Sequence, residues 1–231
     1  MAKRQTVPAQ QEGQSGHTQI AYEGIRRMLF HNEVVPGQRI SYRDLSERLG
    51  MSQTPVIQAL KWLEFQQLVC HEPNRGYCIA QINLQEVEEI YDLRTLIEVD
   101  LLAVTFKSLN KTGLRRLGIA LENHLKAFND GYLYDRLLKD MEYHLTLASL
   151  SGRVVQQQTL KNLFDLLYLK YGAKFLFPSS MNLVDTDHQA IFNHIEKRNL
   201  EDARVTLTEH IRRVKVHVLH NVERVMAATR M

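Results

Sequence analysis

The stretch Ser41–Gln67, SYRDLSERLGMSQTPVIQALKWLEFQQ, constrains this chain more than any other, because it writes two short helices around one glycine. Leu45 and Leu49 stand one turn apart in Tyr42–Leu49, with Ser41 placed to cap that helix and Asp44 three residues later. Gly50 stops it, since glycine accepts the left-handed backbone with which helices end. Ser52 stands where it can cap the second helix. Pro55 falls in that helix's first turn, where a missing N–H does little harm. Val56, Leu60 and Leu63 recur at i, i+4 and i+7 and form one apolar stripe. Helix, glycine turn, helix is the order of DNA-reading modules whose second helix enters the major groove. The same order describes helical hairpins that bind nothing, so the spacing alone leaves both readings open.

The next segment of the chain narrows the choice. Leu68–Glu72 and Tyr77–Ala80 are short β-prone runs joined by Pro73-Asn74-Arg75-Gly76, a turn with a cation at its tip. A hairpin directly behind a recognition helix is a wing, and Arg75 at its tip can reach a phosphate or a minor groove. Upstream, Ile20–Phe30 is amphipathic and leads into the turn Pro36-Gly37. The succession Ile25–Ile82, with PGQRIS at 36–41, the LG-S-TPV-AL pattern at 49–60 and PNRGY at 73–77, resembles the winged-helix domain of the GntR family of bacterial regulators. It covers about a quarter of the chain without gaps. The resemblance implies that Arg43, Ser52, Gln53, Thr54, Pro55, Arg75 and Gly76 contact an operator in double-stranded DNA, with Lys61 adding a phosphate contact. Two positions depart from the family, which usually carries arginine where Gln53 and Ile57 stand. Arginine pairs with guanine, whereas glutamine prefers adenine and isoleucine offers a contact to a thymine methyl.

At 231 residues the chain is long enough for two domains. Its 44% hydrophobic and 24% charged residues are those of an ordinary globular protein. A formal charge of +3 is too small to establish a nucleic-acid partner without a local basic surface. Cys70 and Cys78 sit on the two wing runs and read as small buried thiols in a reducing cytosol rather than a disulfide or a metal pair. No apolar run approaches the ~20 residues of a membrane span and no signal-peptide pattern opens the chain, so a cytoplasmic protein without membrane contact is expected. Met1–His17 is rich in Gln, Gly, Ser and Ala and reads as a flexible arm in which Lys3 and Arg4 are not functional. The winged domain is then 18–80 and the linker 81–84.

From residue 85 to 231 the pattern is helix after helix: Leu84–Ser108, Thr112–Asn129, Tyr134–Leu150, Val154–Leu176, Asn182–Arg198 and Leu200–Ala228. The first shows Val87, Ile90, Ile97, Leu101 and Val104 on one face. An all-helical bundle of this size can hold a cavity as well as a core. Asp140 and His144 are i, i+4 and project from one helix face, so a carboxylate oxygen and an imidazole nitrogen can share a cation. With His188 and His210 on the last two helices they make a plausible shell for a divalent transition metal. Ten histidines also produce such pairs by chance, so spacing alone leaves the site open.

EIYDLRTLIE at 89–98, DMEYHLTLASLSG at 140–152, DHQAIFNHIEKRNLEDA at 187–203 and EHIRRV at 209–214 resemble the FCD effector-binding domain of the FadR branch of the GntR family. The branch's D-x-x-F-H reads here Asp140-Met141-Glu142-Tyr143-His144, with tyrosine for phenylalanine, and its two later metal histidines match His188 and His210. The resemblance implies a divalent metal, Zn or Ni foremost, held by Asp140, His144, His188 and His210. It also places Arg94 and Glu98 on the wall of an effector cavity. For Glu98, an i, i+4 ion pair with Arg94 is the favoured alternative. His124, His194, His217 and His220 match no ligand position. Arg153 stands where the family tends to have asparagine.

The sequence therefore predicts a mainly α chain, an N-terminal winged helix-turn-helix domain followed by an FCD-like helical bundle. It predicts a homodimeric, DNA-binding transcriptional regulator, not an enzyme, whose operator affinity a small organic acid controls by binding at the metal. A metal sensor with the cation as effector, or a metal-dependent hydrolase, are the alternatives.

Overall fold

The chain divides into two units, Met1–Ile82 and Asn83–Met231, in a computed structural model that describes residues 9–73, 75–130, 133–172, 176 and 184–229. The first unit runs α1 (Ala9–Phe30), β1 (Arg39–Ile40), α2 (Tyr42–Leu49), α3 (Gln53–Phe65), β2 (Val69–Glu72) and β3 (Gly76–Ile79). Ser41 Oγ accepts from Asp44 N at 3.3 Å and starts α2. Gly50, at φ 63°, ends α2 with its N–H on Glu47 and Ser46 carbonyls. Ser52 takes the N-cap position of α3 but makes no side-chain capping bond. Exposed at the surface, it leaves the first N–H groups of α3 without that internal acceptor.

Val56, Ala59, Leu60 and Leu63 of α3 are buried together with Ala21, Ile25 and Leu29 of α1. Their removal from water holds the helices together. The approach of α1 to α2 needs Gly24, where an added Cβ would lie 2.6 Å from Leu49 Cδ2. Because α1 begins at Ala9, the expected flexible arm is helical over Ala9–His17. Extending an already packed helix adds one hydrogen bond per residue without a new nucleus, so the polar AQQEGQSGH segment follows its neighbour. Lys3 and Arg4 lie outside the described residues.

The wing has three strands in the order β1-β3-β2, all antiparallel, and the two-residue β1 within PGQRIS was not expected from sequence. Arg75 N donates to Glu72 O at 3.0 Å to close the turn, and Gly76 takes φ 84°. Cys70 and Cys78, expected as separate thiols, form a disulfide. They are direct cross-strand partners with Cα atoms 5.2 Å apart, which is within the reach of an S–S bond. Strand register, which spacing along the chain does not reveal, decides this.

The second unit runs α4 (Leu84–Ser108), α5 (Lys111–Asp130), α6 (Leu133–Ser149), α7 (Val154–Asp165), a π-helical turn (Leu166–Tyr171), α8 (Val184–Glu196) and α9 (Leu200–Thr229). Asn83 caps α4, its Oδ1 accepting from Gln85 N at 3.0 Å and Glu86 N at 3.4 Å. α4 packs on α9 and α5 on α6, with α8 against both α9 and α5. The single helix expected over Val154–Leu176 instead gives way at Leu166 to the π turn, which Gly172 ends at φ 67°. The start of the expected helix at Asn182 lies outside the described residues. On α4 the buried face is Val87, Ile90, Tyr91, Arg94, Glu98, Leu101, Leu102 and Thr105, while Ile97 and Val104 are only half-buried. An apolar-only reading rotated this face, because two of its central positions are charged.

Candidate functional site

At the α2–α3 turn, Arg43, Ser52 and Gln53 line one cleft together with Ser46, Glu47, Gly50 and Met51. Arg43, Ser52, Gln53, Thr54 and Lys61 are exposed, and Arg75 is exposed on the wing. Ile57 is half-buried, Gly76 shapes the wing turn, and Pro55 is buried, so it sets the first turn of α3 rather than offering a surface. Gln53 is the first residue of α3 and therefore stands at the helix end that base-reading side chains occupy.

In the second unit Asp140 and His144 of α6, His188 of α8 and His210 of α9 come together. One ligand atom from each lies within 4.8 Å of all the others, and all four residues are buried. That spread is close to what donors around one ion require. His144 Nε2 and His188 Nε2 face each other at 3.2 Å, and Asp140 Oδ1 is 3.3 Å from His188 Nε2 and 3.9 Å from His144 Nε2. Nitrogen and oxygen donors converge on one buried point, and such a set fits a divalent transition metal.

The partners behind these donors are carboxylates and a phenol that sequence reasoning did not assign. Glu98 Oε2 accepts from His144 Nδ1 at 2.6 Å, which keeps the lone pair of that ring on Nε2. Asp187 Oδ2 takes the same place 3.3 Å from His210 Nδ1 and is itself held 2.6 Å from Arg213. Tyr168 donates to Asp140 Oδ2 at 2.8 Å. The signals were present in part: Asp187 directly precedes His188, and Glu98 lies on a matched stretch. The π turn that carries Tyr168 leaves no pattern in sequence.

Burial pushes the Glu98 carboxyl up, but the interactions with His144 and Arg94 outweigh burial and pull it down to about 2. Asp140 follows the same logic: burial opposes its charge, while the His188 hydrogen bond and His144 hold it well below the carboxylate range. His210 is pushed down to about 4 by burial and by His188, against the opposing bond to Asp187. Burial and His188 likewise push His124 down to about 3. His124 is itself buried, with its ring centroid 4.2 Å from that of His188, so it belongs to the surroundings of the cluster. A neutral imidazole is the form that binds metal.

Arg94 is 2% exposed, its Nε 2.8 Å from Glu98 Oε1 and its guanidinium 4.2 Å above the Phe164 ring. Burial opposes its charge, but Glu98 more than restores it. Of the two sequence readings of Glu98, the i, i+4 ion pair with Arg94 is present, and Glu98 also accepts from His144 Nδ1, which neither reading foresaw. Arg153 is exposed at the N-cap of α7.

A winged helix-turn-helix followed by a helical bundle with a buried His/Asp cluster is the organisation of a DNA-binding regulator with a second, helical domain. Residues 18–79 match the family of bacterial regulatory proteins called gntR, and residues 89–213 match the FCD domain. The chain belongs to the GntR family of DNA-binding transcriptional regulators and carries an FCD domain, as the FadR branch does. It is similar to the uncharacterized HTH-type transcriptional regulator YdhC of Bacillus subtilis, 23% identical over 203 residues that cover 87% of this chain and 91% of that protein. It is 22% identical to the HTH-type transcriptional repressor RspR of Escherichia coli, over 92% of this chain and 93% of that one. Its fold is that of Escherichia coli McbR/YncC, with a TM-score of 0.76 at 20% identity across 88% of this chain and 97% of that one. These relatives are regulators, not enzymes. No described helix is long and apolar enough to cross a membrane.

Proposed function

We propose that this protein is a cytoplasmic, homodimeric regulator whose operator affinity is set by a small carboxylate effector at a metal held by Asp140, His144, His188 and His210. The observation that carries this reading is the convergence of four buried donors, two of whose histidines have a carboxylate behind Nδ1. A bound divalent cation, with Zn or Ni foremost, would supply a Lewis-acid contact for a carboxylate oxygen. Arg94, in the neighbourhood of Asp140 and stacked on Phe164, is the cation for the rest of such a ligand. Arg43, Ser52, Gln53, Thr54, Lys61, Arg75 and Gly76 make the operator contacts, with Pro55 shaping the turn that presents them. Two copies reading two half-sites supply the affinity that one small module lacks.

The test is direct. The metal content of the purified protein is measured, an operator is selected from random DNA, and small mono-, di- and tricarboxylates are titrated with and without metal. An acid that changes operator affinity only in the metal-loaded protein is the expected result. Equal response of the metal-free protein, or none from any acid, sinks the carboxylate reading. A second reading, in which the cation itself is the effector, draws on Arg94 being already paired with Glu98. It is distinguished by operator affinity that follows metal alone.

A further inference from the structure

Asp140 is the one carboxylate among the four donors, and its two oxygens have different partners. Oδ1 faces His188 Nε2 at 3.3 Å, whereas Oδ2 accepts the Tyr168 phenol at 2.8 Å, with both residues buried. Tyr168 comes from the six-residue π-helical turn Leu166–Tyr171. Its ring is fixed edge-on to Phe164, centroids 5.5 Å apart, so the phenol has little freedom to leave Asp140.

The other end of the same turn holds the start of α4. Lys170, 7% exposed, pairs with Glu86. The fully buried Tyr171 places its hydroxyl 2.9 Å from Glu86 Oε2 and 3.1 Å from Asn83 O, and accepts from Asn83 N at 3.4 Å. Asn83 is both the N-cap of α4 and the first residue of the second unit. Six residues thus connect a donor of the buried cluster to the point at which the chain arrives from the winged domain.

A π turn is also a helical segment with a near alternative. It carries one residue more than the α-helical ladder needs, and π turns occur singly and often at functional sites. Moving the extra residue along the helix turns the side chains it passes by about 100°, one step of an α-helix. Tyr168 and the Lys170/Tyr171 pair lie on such a segment, so they are bound to one register together. Coupling between sites requires a discrete two-state element of this sort rather than mere adjacency.

We infer that the π-helical turn Leu166–Tyr171 is the positioning element of the buried centre: Tyr168 holds Asp140 to one coordinating oxygen, and Lys170 with Tyr171 carries the state of that centre to the first turn of α4. Tyr168 plays this part only where the four residues hold a cation, as proposed above. It is a positioning residue and does not touch the ion.

Co(II) serves as the probe, because its visible bands report coordination number. In the parent chain, Co(II) produces ligand-field bands and slows amide exchange both at Leu166–Tyr171 and at Asn83–Val87. Tyr168→Phe keeps the ring and loses the hydroxyl. It weakens Co(II) at least tenfold, the usual effect of losing an outer-shell partner, and alters the bands as Asp140 becomes free to use both oxygens. The triple variant Glu86→Met/Lys170→Met/Tyr171→Phe removes both partners of the buried pair together and so avoids stranding a charge. It binds Co(II) within twofold of the parent but no longer slows exchange at Asn83–Val87. Unchanged bands in Tyr168→Phe, with or without weaker binding, overturn the positioning role. Slowed exchange at Asn83–Val87 in the triple variant overturns the relay. A parent chain that binds no Co(II) overturns the metal reading itself, and this inference with it, whereas the other failures leave the metal reading standing.

Discussion

Glu98 and His144, 46 residues apart in sequence, meet at 2.6 Å between Oε2 and Nδ1 in a site where each is almost wholly excluded from water. The other Glu98 oxygen lies on Arg94. One carboxylate therefore fixes the tautomer of a ring in the buried His/Asp cluster and neutralises the cation beside it. Glu98→Gln tests both duties. The amide makes a poor acceptor for Nδ1–H, and metal affinity, measured by competition with a chromophoric chelator, falls about 10–100-fold. Arg94 loses its counter-charge in a buried place, which lowers unfolding free energy by about 3–5 kcal/mol in denaturant titration. Unchanged metal affinity in a destabilised protein would leave Glu98 as a counter-ion only.

Gln53 stands at the first position of α3, exposed at the cleft that Arg43 and Ser52 share. Gln53→Arg shifts preference at one operator position from adenine toward guanine by about 1–3 kcal/mol. Selection from a randomised operator library reads this out. An unaltered consensus means that Gln53 touches only backbone or solvent.

Much of the winged domain was legible because its signals are local. Ser41, Gly50 and the Val56/Leu60/Leu63 stripe each act within one or two turns, and each is found where the spacing puts it. The disulfide and the strand β1 were not legible, since both depend on which residue faces which across a sheet. In the bundle, the four donors could be named from the FCD resemblance, whereas Glu98, Asp187 and Tyr168 behind them could not be derived from spacing. A polar residue on an apolar face looks the same in sequence whether it supports a ligand or closes an ion pair. Glu98 does both.

Arg43 of α2, Lys61 of α3 and Arg75 of the wing are all exposed, and the proposed operator reading gives each of them a phosphate contact. Operator affinity falls steeply with salt, and Arg75→Ala flattens the log–log slope by about 1 while weakening all sequences alike. Footprinting shows two symmetric half-sites. A single half-site protected by a monomer removes the dimeric reading.

Reduction of the Cys70–Cys78 bond releases a cross-link between β2 and β3. Loop-closure entropy for so short a loop is about 2–3 kcal/mol. Melting of the parent in reductant, and of Cys70→Ser/Cys78→Ser without it, is lower by a similar amount for the winged domain. Identical melting with and without reductant means that the thiols are not joined in solution.

His210 ties α9 to the cluster and is backed by Asp187 and, through it, by Arg213. His210→Ala removes one of four donors, the only one that α9 supplies. The three remaining donors bind more weakly, and the metal that stabilised the bundle by mass action stabilises it less. With free metal at a thousand times its dissociation constant, that stabilisation is about 4 kcal/mol in the parent. Chelator therefore lowers the melting temperature of the parent far more than that of His210→Ala, whose melting already lies near the stripped value. Burial holds the His210 ring neutral, down to about 4, so the substitution removes no buried charge and leaves Asp187 its contact with Arg213. Operator affinity without effector stays close to that of the parent, because the side chains proposed to contact the operator lie in the other unit of the chain. The response to a carboxylate is lost. A His210→Ala protein that keeps its full metal content, its chelator sensitivity and its response would show that these four residues are polar packing.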